Sequence, residues 1–217
     1  MNTHLTITDT EVEKRVPPTL IAVILDESGS MAAKWDDVVG GFNRFLEEQT
    51  ALPDSCRMSL TKFNTRPVLL YPPTPLANVV PLDKHNYTPG GNTALYDAIA
   101  ETVQVAKHHK LDGERVLCLI ITDGQENSSR ETTREQVTDL IKALEGRGDW
   151  TFVYLGVTPD QFVREMNLAG TQTATNTAAY NSAAPDQSWV QTSLGTAQYR
   201  ASRDKSGKDF YKPKSGK

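Results

Sequence analysis

The stretch Thr19-Leu20-Ile21-Ala22-Val23-Ile24-Leu25-Asp26-Glu27-Ser28-Gly29-Ser30-Met31 decides how this chain folds. Thr19 to Leu25 is short and apolar on both faces, the pattern of a fully buried strand. It ends in two adjacent acids and then two hydroxyls flanking a glycine. Such groups want water, protons or a cation. Beyond the turn, Val38, Val39, Phe42, Phe45 and Leu46 recur at helical spacing, and Asp36 and Asp37 favour the positive end of the helix dipole. A strand is therefore followed by an amphipathic helix that packs back on it.

The same alternation continues along the chain. Arg57 to Phe63 and Val68 to Tyr71 read as a hairpin around Asn64-Thr65-Arg66-Pro67. Pro72 to Pro89, with five prolines, is expected to be loop with at most a short strand near Asn78 to Leu82. After Thr-Pro-Gly-Gly-Asn-Thr comes a helix over Ala94 to Lys110, then a buried strand from Arg115 to Ile121 ending at Thr-Asp-Gly. A helix over Thr133 to Arg147, a strand over Trp150 to Val157 and a short helix over Pro159 to Leu168 follow. Thr171 to Asn176 is the candidate edge strand. Pro185 to Arg203 is a last helix with Trp189, Val190, Leu194 and Tyr199 inward. Strands alternating with helices predict an α/β fold, a doubly wound, mostly parallel sheet with helices on both faces.

A chain of 217 residues holds one sizeable core. The expected division is an N-terminal arm over 1–18, one domain over 19–203 and a disordered basic tail over 204–217, where Phe210 and Tyr211 interleave with lysines. A hydrophobic fraction of 38% and a net charge of −4 mark a globular chain with no general affinity for nucleic acid. No apolar run approaches the roughly 20 residues that span a bilayer. The N-terminus lacks the pattern of a secretory signal, so a cytoplasmic location is expected. Cys118 lies inside an apolar run and reads as a small buried hydrophobe.

Ligands of open parallel sheets bind at the carboxyl ends of the strands. Asp26, Ser28 and Ser30 follow the first strand, Thr93 opens a helix after Gly90 and Gly91, and Asp123 follows the fifth predicted strand. Two carboxylates and three hydroxyls, with no His or Cys, suit a hard cation better than zinc.

Together, the D-x-S-x-S of Asp26, Ser28 and Ser30, the later Thr93 and the T-D-G at Asp123 resemble the metal-ion-dependent adhesion site of von Willebrand factor A (VWA) domains, over roughly residues 19 to 169. The resemblance implies a Rossmann-like fold and a magnesium ion, with manganese or calcium as alternatives. It implies direct ligation by Ser28, Ser30 and Thr93, with Asp26 and Asp123 acting mostly through waters and hydrogen bonds. A cation held by neutral hydroxyls keeps much of its charge, so an open coordination position attracts an acidic residue of a partner protein. The expected function is metal-dependent protein binding, without catalysis, membrane or nucleic acid.

Several neighbours carry two readings. Glu27 is either a solvated turn side chain or an extra carboxylate near the ion. Asp97 either serves the helix dipole or touches a bound water. Trp35, Asn92 and Tyr96 are core anchors or rim contacts, and His85, His108 and His109 are solvated. Two other classes compete. A magnesium-dependent hydrolase of the haloacid dehalogenase type needs D-x-D-x-[TV], but Ser28 and Ser30 stand at its third and fifth positions, and the acid that would protonate a leaving group is missing. Nucleic-acid binding through the basic tail is opposed by the acidic body.

Overall fold

The structure, a computed structural model, describes residues 16–181 and 184–212. Its strands are β1 (Thr19–Asp26), β2 (Cys56–Phe63), β3 (Pro67–Pro75), β4 (Arg115–Thr122), β5 (Trp150–Gly156) and β6 (Thr177–Ala179). The α-helices are α1 (Trp35–Thr50), α2 (Leu95–His109), α3 (Arg134–Glu145), α4 (Pro159–Glu165) and α5 (Pro185–Ala201). They build one six-stranded sheet in the order β3-β2-β1-β4-β5-β6. All pairings are parallel except β2 with β3.

Every residue of β1 is buried, because helices cover both faces. Ile21, Val23 and Leu25 pack with Phe42, Phe45, Trp189 and Tyr199 of α1 and α5. Leu20, Ala22 and Ile24 pack with Ala98, Ile99, Val137 and Ile141 of α2 and α3. Strand alternation thus feeds two cores from one run of apolar residues. Helices α1 and α5 approach closely at Gly41, where an added Cβ would lie 2.1 Å from the Trp189 ring.

The expected α/β architecture is present, with local corrections. No strand forms over 78–82. β3 instead runs on through Pro72, Pro73 and Pro75, because an edge strand needs no donors on its outer side. A 3-10 turn at Leu76–Asn78 follows it. Asp123 therefore follows the fourth strand, not a fifth. The edge strand expected over 171–176 forms at Thr177–Ala179, after a 3-10 turn at Thr173–Thr175.

On α5, Trp189 and Tyr199 are buried as expected, whereas Val190 and Leu194 are 39% and 58% exposed. The inner face uses Ser188, Thr192, Ser193, Gly195 and Thr196 instead. Their small size allows close packing, and Thr192 and Thr196 satisfy their hydroxyls on the carbonyls of Ser188 and Thr192 at 2.9 and 2.8 Å.

The tail reading is corrected for residues 204–212. Phe210 is buried and its N–H donates to Asn176 Oδ1 at 3.0 Å, while Asn176 Nδ2 donates to the Gly207 carbonyl at 2.8 Å. One aromatic ring with a core to enter outweighs the flanking lysines. It is not offered to stack on a base. Residues 1–15 of the expected arm and 213–217 of the tail lie outside the described residues.

Candidate metal centre

The strand order reverses between the parallel neighbours β1 and β4, whose following connections run to opposite sides of the sheet and open a crevice at the strands' carboxyl ends. Asp26 is the last residue of β1, and Asp123 directly follows β4. Asp26 is fully buried. Its Oδ1 accepts from the Ser28 N–H at 2.7 Å, and its Oδ2 from Thr122 Oγ1 at 2.6 Å. Ser28 Oγ lies 3.1 Å from Ser30 Oγ, and Ser30 Oγ donates to Asp123 Oδ1 at 2.5 Å. The other oxygen of Asp123 is paired with the Lys34 ammonium.

Thr93 is buried just ahead of α2. Its N–H donates to Asn127 Oδ1 at 2.9 Å, and its carbonyl accepts from the Asn127 N–H at 3.0 Å. A Cβ added to Gly124 would stand 3.0 Å from Thr93 Oγ1 and 3.6 Å from Asp26 Oδ2. The glycine of Thr-Asp-Gly therefore leaves bare the space these two oxygens border. All five residues singled out in the sequence come together at one edge.

The loops beneath them are braced by residues the sequence reading missed or misread. Glu27 is only 5% exposed, so it is not a solvated turn side chain. Its Oε1 takes the Lys62 ammonium at 2.9 Å and the Thr88 N–H at 2.5 Å, because burial makes an unpaired carboxylate costly. Tyr87 donates its hydroxyl to the Asp26 carbonyl at 2.7 Å, and Trp35 Nε1 donates to the Tyr87 carbonyl at 3.0 Å. Trp35 thus anchors the core edge.

Asp97 accepts from the N–H groups of Arg130, Glu131 and Thr132 at 2.8, 3.2 and 2.8 Å and so pins the loop after β4. That loop returns Glu126 and Ser129 to the open N–H groups of Tyr96 and Asp97. Asn92 is exposed, as are His85, His108 and His109. The legible signals for Thr122 and Lys34 were position alone, one in Thr-Asp-Gly and one a turn beyond Ser30.

Among the described residues no three His, Cys, Asp or Glu side chains are grouped to hold a metal. A cation here must draw on serine and threonine oxygens, and the set fits that demand. It is all oxygen, two of its hydroxyls adjoin, and Gly124 keeps Thr93 Oγ1 uncovered. Burial pushes the Asp26 carboxyl above the ordinary carboxylate range, against the hydrogen bonds of Thr122 and Ser28, and the charge of Asp123 adds to the rise. A divalent cation would relieve that cost. A groove of about 720 Å³ lies to one side, between Asn64, Arg66, Asp97 and Arg130, and none of the five oxygen-bearing residues lines it.

An open α/β sheet with a cluster of hydroxyl and carboxylate side chains at its switch point defines the class of this protein. The chain belongs to the von Willebrand factor type A domain family, which it matches over residues 21–193. That match reaches into α5, further than the resemblance read from the motifs. No curated protein matches the sequence.

Among solved structures, the chain is similar to the PilB minor pilin of Streptococcus sanguinis, at 10% identity and TM-score 0.65, with 87% of this chain and 63% of that one covered. It is also similar to the mussel byssus proximal thread matrix protein 1 with a zinc-occupied MIDAS motif, at 14% identity and TM-score 0.55, with 80% and 45% covered. BatB of Bacteroides thetaiotaomicron aligns at 15% identity and TM-score 0.57, with 85% and 99% covered. At these identities the likeness shows the fold. The chain spans about two thirds or less of the pilin and the thread protein.

Proposed function

We propose that this VWA domain binds one divalent cation, magnesium in the cell, through Ser28, Ser30 and Thr93, with Asp26 and Asp123 behind them, and that the cation captures an acidic residue of a partner protein. The observation that carries the reading is the convergence of three hydroxyls and two carboxylates on one crevice. The zinc-occupied motif of the mussel thread protein supports cation binding by this fold. Neutral ligands leave the ion's charge largely uncancelled, so an anion is the natural occupant of an open position.

The domain acts as a binding module and not as a hydrolase. Supporting this, both oxygens of Asp26 are held by hydrogen bonds within the fold, which suits a bracing acid better than a nucleophile. A cytoplasmic location belongs to the same proposal, and fractionation of native cells tests it. No helix among the described residues is long and apolar enough to cross a membrane.

The test is capture from native cells by wild type and Thr93→Ala, each with magnesium and with chelator. The proposal expects a defined set of proteins held only by wild type with magnesium. The expected loss for Thr93→Ala is about a hundredfold in affinity, from a few kcal/mol at about 1.4 kcal/mol per decade. The same proteins captured in chelator by a folded Thr93→Ala variant would overturn it.

A further inference from the structure

We infer that Lys34 is a built-in counter-ion of the site, which pairs with Asp123 and has to let go when a divalent cation enters; this rests on the cation reading proposed above. The Lys34 ammonium is paired with Asp123 Oδ2, while Ser30 takes Oδ1. The Asp123 side chain is only 3% exposed and that of Lys34 20%, so the pair is largely withdrawn from water. Met31, Ile121 and Tyr180 line the same narrow cleft as Lys34, Thr122 and Asp123, so the lysine's stem lies along apolar side chains while its ammonium meets the carboxylate.

Its place in the chain makes the pair conditional. Lys34 closes the 3-10 turn Gly29–Lys34 that carries Ser30, and it is the N-cap residue directly before α1. An ammonium there faces the positive end of the helix dipole and needs a carboxylate to hold it. A divalent cation among Ser28, Ser30 and Asp123 would lie beside that ammonium, and like charges so close repel strongly where water is sparse. Cation entry is thus coupled to release of Lys34. The freed ammonium then stands beside the crevice, where an acidic partner residue arrives.

Calorimetric titration of manganese into wild type, Lys34→Met, Lys34→Gln and the exposed-surface control Lys107→Met tests this. The inference expects both Lys34 variants to bind about three- to tenfold more tightly than wild type. Their melting temperatures should rise more on adding manganese, because the cation-free form has lost its internal partner. Lys107→Met should match wild type. Unchanged or weaker binding in folded Lys34 variants, with wild type still binding, would overturn the counter-ion role alone. No isotherm in wild type would overturn the cation reading beneath it as well.

Discussion

Ser30 Oγ donates to Asp123 Oδ1 at 2.5 Å, a bond between residues 93 positions apart that joins the loop after β1 to the end of β4. It fixes the width of the crevice from both sides. Ser30 is exposed, so its hydroxyl contributes little to the fold. Ser30→Ala is expected to weaken manganese binding about tenfold, while urea unfolding without metal changes by less than about 1 kcal/mol.

Gly124 is the second structural lever on the site. A methyl group there would press on Thr93 Oγ1 at 3.0 Å and face Asp26 Oδ2 at 3.6 Å. Gly124→Ala should therefore reduce cation affinity at least as much as Ser30→Ala, with a modest change in melting temperature. Fluorescence melts and titrations on one preparation would separate the two effects.

Burial raises the Asp26 carboxyl above its ordinary value of 3.8. A raised carboxylate favours the protonated folded state, so its stabilising contribution is complete below the ordinary value and is lost as pH rises through the raised one. At neutral pH the ionised Asp26 is a cost to the cation-free protein. Asp26→Asn should then match or exceed wild type in melting temperature near pH 7 without metal, and the advantage should shrink toward pH 4. Manganese should stabilise wild type by mass action near pH 7 and progressively less on acidification, as the proton competes. Melts across this range, with and without manganese, check both signs.

Phe210 places the C-terminal segment in the core beside α5, with a ring so close to Gly195 that an added Cβ would meet it at 2.6 Å. Phe210→Ala is expected to cost about 2–4 kcal/mol in urea unfolding. Truncation after Arg203 should cost at least as much.

The sheet was legible because β1, β4 and β5 are buried on both faces, which forces continuous apolar runs bounded by helical stripes. The convergence of Asp26, Ser28, Ser30, Thr93 and Asp123 was legible for a related reason, since polar residues that end such runs meet at the strand ends. What escaped the sequence depended on partners far along the chain. Glu27 reads as a solvated turn acid until Lys62 and Thr88 are seen to close on it. Asp97 reads as a dipole residue until the 130–132 backbone turns toward it. The polar inner face of α5 defeats a hydrophobic stripe because Trp189 and Gly41 set the helix spacing, and small hydroxyl residues fill it.

The central claim is that Ser28, Ser30 and Thr93 hold a cation in front of Asp26 and Asp123. Paramagnetic resonance of manganese tests it most directly, because the signal of the free ion falls as it is bound. Wild type should take up one manganese per chain, and folded Thr93→Ala and Asp123→Asn variants should leave most of it free at the same concentrations. Equal uptake by all three proteins would place the cation elsewhere and contradict the account.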